Sequence, residues 1–322
     1  MPLLEVEHLR MYYETLRGHV KAVDDISLHV DEKKALGLAG ESGCGKTSAA
    51  LTILRLLPWN AKILGGNIRL SGENLVKMKE SKFRKEIRWK KISMIFQGAM
   101  NSLHPTYTTG HQISEAILQH EKVTKEEAKD RAEKLIELVG MDRSRADRYP
   151  HELSGGMKQR AVTAMALACN PDLIIADEPT TALDVIVQAQ VIKVMKDLQS
   201  RLRLSMMVIS HDLSLIAETC DDIVIMYAGK IAEYGNVEHI YKEELHPYTE
   251  KLISAFPSVI GQKTELSSIP GFPPDLLNPP PGCRFHPRCP YAMEICRKKE
   301  PPLIEADKGH LVACHLQGGE KA

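Results

Sequence analysis

The residues best suited to chemistry form a glycine-rich run, Gly40-Glu41-Ser42-Gly43-Cys44-Gly45-Lys46-Thr47, which fits the pattern G-x-x-x-x-G-K-[ST]. Glycines let backbone N–H groups turn inward around phosphates, Lys46 supplies a cation, and Thr47 supplies a hydroxyl ligand for Mg²⁺. An apolar strand pattern precedes the run and a helical pattern follows it, so a helix N-terminus adds partial positive charge. We predict a triphosphate site formed by Gly40, Ser42, Gly43, Cys44, Gly45, Lys46, Thr47 and Ser48.

Two carboxylates, Asp177 and Glu178, end an apolar run at residues 173–176. Such a run is typical of a strand buried on both faces, and ligands of parallel sheets lie beyond the carboxyl ends of the strands. Asp177 is therefore predicted to reach the Mg²⁺ ion, and Glu178 to orient or deprotonate water. Two acids after a strand more often form a solvated turn, and the upstream phosphate loop is what favours a site.

A further helix start lies at residues 153–160, which read LSGGMKQR. Ser154, Gly155 and Gly156 place a hydroxyl and uncovered N–H groups there, an arrangement that favours an anion. Alone, such a segment is more often an N-cap followed by a flexible turn. Its interpretation as an anion site therefore depends on the other motifs.

The order of elements predicts an α/β fold with a mainly parallel sheet. Strand patterns occur three times within residues 3–40, and then at 173–176, 206–210 and 223–227. A pair of strands is predicted around residues 68–70 and 92–96. Between about residues 98 and 170 helical spacing replaces strand patterns, so we predict a helical insertion there.

In their order and spacing, these motifs resemble those of the ATP-binding-cassette ATPases over about residues 4–255, and LSGGM looks like their signature motif. The resemblance implies a P-loop NTPase fold: a RecA-like core with an antiparallel β subdomain, plus an α-helical subdomain at about 98–170. The sequence departs from the family pattern at Met157, where Gln is more usual, and at Gly98-Ala99, where Asp-Pro is more common. Neither departure removes a catalytic group.

Further site residues follow from the resemblance. Tyr13 resembles the aromatic residue that stacks on adenine, with Tyr12 as the competing choice. Gln97 resembles the glutamine that touches Mg²⁺, and His211 the histidine that contacts the γ-phosphate. The implied cofactors are ATP and Mg²⁺; the implied Mg²⁺ ligands are Thr47, Gln97 and Asp177, and the implied catalytic residues are Glu178, His211, Lys46 and Gln97.

The resemblance also implies a sandwich of two ATPase subunits. ATP on the phosphate loop of one subunit is capped by LSGGM of the other, because the helical insertion points its own signature motif outward. The loop that ends at Asp184 resembles the loop that crosses the dimer seam. The γ-phosphate is held from both sides, so its hydrolysis shifts the population towards separated subunits. The capping residues are Ser154, Gly155, Gly156 and Asp184.

Charge and hydropathy exclude other classes. The 42 Lys+Arg cancel the 42 Asp+Glu, so no overall field favours nucleic acid or an anionic membrane surface. The first ten residues, MPLLEVEHLR, carry charges where a signal peptide needs an apolar stretch, so we expect no secretion. The longest apolar run, at 161–169, is about half of the ~18 residues that a spanning helix needs. A membrane role is therefore expected only through partners.

Beyond residue 255 the chain changes character. The run SSIPGFPPDLLNPPPG suits neither a helix interior nor a central strand. Four cysteines follow within the last 40 positions, and without an export signal such a cluster favours a metal over disulfides. We therefore predict an ATPase domain over residues 1–255, and a proline-rich linker with a cysteine-rich metal- or cluster-binding region over residues 256–322.

Residues 245–249 (LHPYT) and 279–290 (PPPGCRFHPRCP) resemble the dipeptide/oligopeptide importer ATPases. Four thiolates can hold Zn²⁺ or a [4Fe–4S] cluster, and the spacing C-x₅-C-x₆-C-x₁₇-C decides neither. Some members of the family carry a [4Fe–4S] cluster here, which favours a cluster with a structural role over the alternative, Zn²⁺. His286 and His310 are alternative ligands, and the matching cysteines are Cys283, Cys289, Cys296 and Cys314.

The function that the resemblance implies is an ATP-hydrolysing importer subunit that energises uptake of di- and oligopeptides. Expected partners are a homologous second ATPase subunit (a homodimer in isolation), two transmembrane permease subunits that dock near residues 97–107, and indirectly an extracytoplasmic solute-binding protein. No nucleic acid is expected, and the expected location is peripheral, on the cytoplasmic face of the cell membrane. Alternatives are an importer of nickel or another small solute, and a non-transport ATPase of the same class.

Overall fold

The structure is a computed structural model that describes residues 1–255 and 269–317. The parts of the predicted linker and cysteine-rich region at 256–268 and 318–322 lie outside the described residues. The chain divides into two compact units. Unit 1 comprises Met1, Val30–Ala35 and Lys77–Ile209, and unit 2 comprises Pro2–His29, Leu36–Val76 and Ser210–Ala322. This division does not test the predicted boundary at residue 255, which stays a prediction.

The strands, in chain order, are β1 (Pro2–Thr15), β2 (Gly18–Asp31), β3 (Ala35–Ala39), β4 (Ala61–Leu70), β5 (Glu73–Asn74), β6 (Ile92–Ile95), β7 (Leu173–Asp177), β8 (Ser205–Ile209), β9 (Asp222–Tyr227), β10 (Lys230–Asn236), β11 (Ile304–Asp307) and β12 (His310–Val312). The helices are α1 (Lys46–Ile53), α2 (Glu80–Glu86), α3 (Thr109–His120), α4 (Lys125–Leu138), α5 (Gly155–Ala166), α6 (Val185–Leu202), α7 (Leu213–Thr219), α8 (Val237–Lys242), α9 (Pro247–Ser254) and α10 (Glu294–Lys298). The α/β class and the six strands predicted from apolar and alternating runs are confirmed.

Unit 1 contains three parallel strands, in which β7 pairs with β6 and with β8. Both β7 and β8 are buried along their whole length, as expected of apolar strands covered on two faces. The N-caps of helices α3, α4 and α5 are Thr108, Thr124 and Ser154, and the side chain of each accepts a hydrogen bond from a backbone N–H. These caps are the local reason why helices form here, and they confirm the helical character predicted for residues 98–170.

Strands form at both predicted places, around residues 68–70 and 92–96, but the prediction that they pair with each other is wrong. β4 pairs antiparallel with β1 and β5, whereas β6 pairs parallel with β7. The burial patterns give the reason: β4 alternates between exposed and half-buried residues at its start, as in a sheet with one wet face, and β6 is mostly buried. Apolar content alone did not distinguish the two kinds of sheet.

Unit 2 contains a sheet with the strand order β2-β1-β4-β5. It also contains β3, which pairs parallel with β9, and an antiparallel series in which β9 pairs with β10, β10 with β12, and β12 with β11. The expected parallel arrangement therefore holds for β6–β8 and for β3 with β9, while the C-terminal strands are antiparallel. The glycine-rich run at 40–45 lies between the end of β3 and the start of α1.

The described C-terminal residues, 269–317, belong to unit 2 and are bound to the rest of that unit through buried polar groups. Glu233, which is 0% exposed, accepts hydrogen bonds from His310 Nε2 at 2.7 Å and from the N–H groups of Leu245 and His246. A buried carboxylate needs such donors, because an unpaired one would be very costly. Arg284, also buried, binds the Asp24 carboxylate and the Ala228 carbonyl. These bonds hold the segment on strands β2 and β10.

Across residues 1–255 and 269–317 we find no helix with both the length and the apolar character that a membrane span requires.

Candidate functional site

The glycine-rich run has the backbone that a phosphate-binding loop requires. Gly40 has φ 140° and Gly45 has φ 106°, values that side chains rarely allow. A Cβ atom at Gly40 would lie 2.2 Å from the Met226 carbonyl oxygen, and one at Gly45 would lie 2.0 Å from the Ala22 carbonyl oxygen. Both positions therefore exclude every residue except glycine.

Lys46 turns its ammonium group back onto the loop. Its Nζ donates to the carbonyl oxygens of Gly40 at 2.7 Å and Glu41 at 2.9 Å, and lies 3.6 Å from Cys44 Sγ. Burial raises the pKa of the Cys44 thiol, so that thiol stays neutral beside the lysine. Lys46 itself is 6% exposed, and its positive charge is the main one available to a phosphate within the loop.

The two tyrosines that competed for the adenine-stacking role differ in their contacts. The Tyr13 hydroxyl lies 3.0 Å from Ser48 Oγ, in the first turn of α1, whereas the Tyr12 hydroxyl donates to Asp24. Tyr13 thus contacts a residue of the predicted triphosphate site, and its stacking on adenine stays a prediction. His211, in the same unit, is exposed and directly precedes Asp212, the N-cap of α7.

In unit 1 the structure brings Gln97 and Glu178 together. Gln97 Nε2 donates to Glu178 Oε2 at 2.8 Å, and Thr181 Oγ1 donates to the same oxygen at 2.9 Å. Asp177, the last residue of β7, is 1% exposed. Glu178 follows with φ 47°, an unusual value for a residue with a side chain, which turns its carboxylate off the line of the strand.

The LSGGM segment is an exposed helix start. Ser154 and Gly155 are exposed, and Ser154 Oγ accepts from Met157 N at 3.4 Å. Gly156 is buried instead, and a Cβ atom there would lie 2.5 Å from Val187 Cγ1 on α6. The second glycine is therefore required by the packing of α5 on α6. Asp184 caps α6 by accepting from Val187 N at 3.0 Å.

Two contributions to the site could not be predicted from the sequence. Thr181 holds the Glu178 carboxylate, but a threonine three residues after an acid carries no recognisable pattern. The packing requirement at Gly156 depends on Val187, which is 31 positions away and is matched to it only by the fold.

The four C-terminal cysteines are free thiols in unit 2. Cys283 N donates to the Cys296 carbonyl at 2.8 Å. Burial, together with the charges of Cys296, Cys314 and Cys289, raises the pKa of Cys283 to about 12, so the four thiols are electrostatic neighbours. Within the described part of the chain, no three His, Cys, Asp or Glu side chains are grouped so as to hold one metal ion.

The fold and the phosphate loop define a P-loop nucleotide-binding cassette. The ATP-binding cassette MJ0796, solved as a dimer in a post-hydrolysis state with ADP and Pi, has a similar fold, with a TM-score of 0.65. It is 24% identical and covers 73% of this chain and 98% of its own.

Two families match along the sequence: "ABC transporter" at residues 23–181 and "Oligopeptide/dipeptide transporter, C-terminal region" at 232–296. The probable peptide ABC transporter ATP-binding protein y4tR of Sinorhizobium fredii is 45% identical, over 97% of this chain and 94% of its own. The oligopeptide transport ATP-binding protein AppD of Bacillus subtilis is 43% identical, over 99% and 98%. The chain belongs to the ATP-binding proteins of ABC transporters, in their oligopeptide/dipeptide group. It is an ATPase that uses ATP and Mg²⁺, as the motifs predicted.

Proposed function

We propose that this chain hydrolyses ATP to energise the uptake of di- and oligopeptides by an ABC importer. The observation that carries the proposal is the match of residues 232–296 to the C-terminal region of oligopeptide/dipeptide transporters. Relatives named for peptide transport match the rest of the chain as well.

The proposed roles follow the chemistry of each group. The phosphate loop and Lys46 bind the triphosphate, and Tyr13 stacks on adenine, which its contact with Ser48 supports. Thr47, Gln97 and Asp177 surround Mg²⁺, while Glu178 orients or deprotonates the attacking water. The γ-phosphate is contacted by His211, and Ser154, Gly155, Gly156 and Asp184 cap the nucleotide of a second ATPase subunit.

The proposed partners are that second subunit and two transmembrane permease subunits, with an extracytoplasmic solute-binding protein acting indirectly. The chain then works peripherally on the cytoplasmic face of the membrane. Phe96 and Tyr107 are about half exposed, which supports a docking surface for the permeases near residues 97–107. The 1–255 and 256–322 division is kept as the proposed domain organisation.

Cells whose only copy carries Lys46→Ala are expected to take up labelled di- and tripeptides at least about a hundredfold more slowly, because the cation on the triphosphate is lost. Uptake of labelled nickel measured in the same cells is the control and should not change. Loss of nickel uptake with intact peptide uptake would contradict the peptide assignment. Copurification of the permeases from solubilised membranes tests the partners.

We also propose that Cys283, Cys289, Cys296 and Cys314 hold a [4Fe–4S] cluster. All four are free thiols, and the charges of Cys289, Cys296 and Cys314 act on Cys283, so the four lie near one another. Cysteine thiolates are the ligands of [4Fe–4S] clusters, with Zn²⁺ as the alternative. The cluster would cross-link a segment that is rich in proline and poor in secondary structure, and its binding free energy would stabilise that segment.

Protein purified without oxygen is accordingly expected to be brown and to absorb near ~400 nm, as iron–sulfur proteins do. Cys289→Ser should remove the colour, whereas Cys220→Ser, which changes a half-buried thiol of the same unit outside the proposed cluster, should keep it. Metal analysis is the second measurement. Colourless protein that contains one zinc ion per chain would show that the cysteines bind Zn²⁺ and not a cluster.

A further inference from the structure

Arg288, in the C-terminal segment, forms a two-pronged ion pair with Glu41, the second residue of the phosphate loop. Its Nη1 lies 2.6 Å from Glu41 Oε2, and its Nη2 lies 3.0 Å from Glu41 Oε1. The Arg288 side chain is 5% exposed and that of Glu41 is 24% exposed. Such bidentate, mostly buried pairs fix the geometry of both partners, and a lysine cannot reproduce the fork.

The remaining donors of Arg288 are also engaged. Its Nε donates to the Pro270 carbonyl at 2.8 Å, and Nη1 lies 3.2 Å from the Tyr227 hydroxyl, at the end of β9. The guanidinium carbon is 5.8 Å from the centroid of the Tyr227 ring. Arg288 is therefore a fixed point that joins the proline-rich segment, strand β9 and the phosphate loop.

A second bond from the same region holds the main chain of Glu41. Glu41 N donates to the Tyr248 hydroxyl at 2.9 Å. Tyr248 is 0% exposed and packs against Tyr227 and Phe285, with ring centroids 4.7 Å and 5.4 Å away. Phe285 lies three residues before Arg288 in the same C-terminal segment. Both contacts to Glu41 therefore depend on how that segment packs against unit 2.

Three groups of Glu41 are thus held, two of them from outside the loop. The carboxylate is held by Arg288 and the N–H by Tyr248, whereas the carbonyl is held from within by Lys46 Nζ. A bound triphosphate would compete with the Glu41 carbonyl for Lys46 Nζ, since phosphate oxygens are strong acceptors for a charged donor. Arg288 and Tyr248 then remain to keep the start of the loop in place.

We propose that Arg288 is a positioning residue for the phosphate loop, through which the C-terminal segment sets the affinity for ATP. The inference rests on the binding of ATP by this loop, and it does not depend on metal binding by the cysteines. Because coupling between two sites is reciprocal, bound nucleotide also stabilises the segment around Arg288. A purely structural arginine would hold the segment in place without changing the affinity for nucleotide.

The test compares Arg288→Met with Arg284→Met in the purified full-length chain. Arg284 is a matched control, since it is equally buried and four residues earlier, but binds Asp24 and the Ala228 carbonyl rather than the loop. Titration with mant-ATP and Mg²⁺ is expected to show about a tenfold higher Kd for Arg288→Met, because one charge-assisted bidentate anchor is lost. The control should stay within about twofold, and the hydrolysis rate of both at saturating ATP should match the wild type.

Glu41→Gln is the second variant, and it should raise the Kd as Arg288→Met does. The double variant should be no weaker than either single one, since both remove the same interaction. Hydrogen exchange gives the reciprocal measurement: ATP should protect amides of residues 284–296 in the wild type but not in Arg288→Met. Unchanged Kd values in both pair variants, or an equal loss in Arg284→Met, would overturn the positioning role. Failure of the wild type to bind mant-ATP would instead refute the assignment of the loop.

Discussion

Replacing Glu178 by Gln should stop turnover while leaving ATP bound. The Glu178 carboxylate accepts hydrogen bonds from Gln97 and Thr181, so it is oriented but remains able to accept a proton. Glutamine preserves the size of the side chain and removes its basicity. Because general base catalysis contributes about 10²–10⁴-fold, we expect hydrolysis to fall at least about a hundredfold. With the γ-phosphate retained, the two-subunit sandwich should persist.

Phosphate release and size-exclusion chromatography with ATP measure these two effects. Asp172→Asn is a suitable control, since Asp172 is an exposed carboxylate at the opposite end of the same strand, paired with Lys91 at 2.8 Å. Its hydrolysis rate should match the wild type. Undiminished hydrolysis by Glu178→Gln would contradict the assigned role, and so would a Glu178→Gln protein that elutes as a monomer with ATP.

The strands and helices of the cassette could be predicted because their patterns are local. β7 and β8 are buried on both faces and so read as apolar runs, and the caps Thr124 and Ser154 mark helix starts directly. The assignment of β4 and β6 to different sheets could not be predicted. Pairing of strands is a long-range property that the residues within each strand do not specify.

The candidate site divides in the same way. The phosphate loop could be recognised because glycine is the only residue that fits at Gly40 and Gly45. The conformation that binds phosphate therefore requires a pattern of residue types that is visible in the sequence. The Arg288–Glu41 pair could not, because 247 positions separate the two residues and each has a local interpretation of its own. Glu41 is a variable position of the loop motif, and Arg288 lies among cysteines whose local pattern indicates metal binding.

A consequence of this arrangement is that the phosphate loop and the C-terminal segment, both in unit 2, are joined at Glu41. Glu41 is hydrogen-bonded to Lys46 within the loop, and to the Arg288 and Tyr248 side chains outside the loop. A change that displaces Arg288 or Tyr248 therefore reaches Glu41 directly, without passing through a distant network. The cysteine-rich segment then contributes to ATP binding and not only to the stability of the chain.

The second large effect is expected from Ser154→Asp, which tests the sandwich itself. Aspartate caps a helix as well as serine does, so the hydrogen bond from Met157 N and the start of α5 should be kept. Ser154 is exposed in the single chain and faces the γ-phosphate only in the proposed sandwich. The added negative charge should therefore repel the nucleotide of the partner subunit while leaving ATP binding by the chain's own phosphate loop unchanged.

Like charges in contact at an interface cost several kcal/mol, so hydrolysis should fall at least about a hundredfold. The matched control is Thr124→Asp, because Thr124 also caps an exposed helix start in unit 1 through a bond from Glu127 N. That variant should hydrolyse ATP at the wild-type rate. Normal turnover by Ser154→Asp, or a loss of mant-ATP binding by the isolated chain, would be inconsistent with capping from a second subunit. The combination of intact binding and lost turnover is what distinguishes a nucleotide shared between two chains from one held by a single chain.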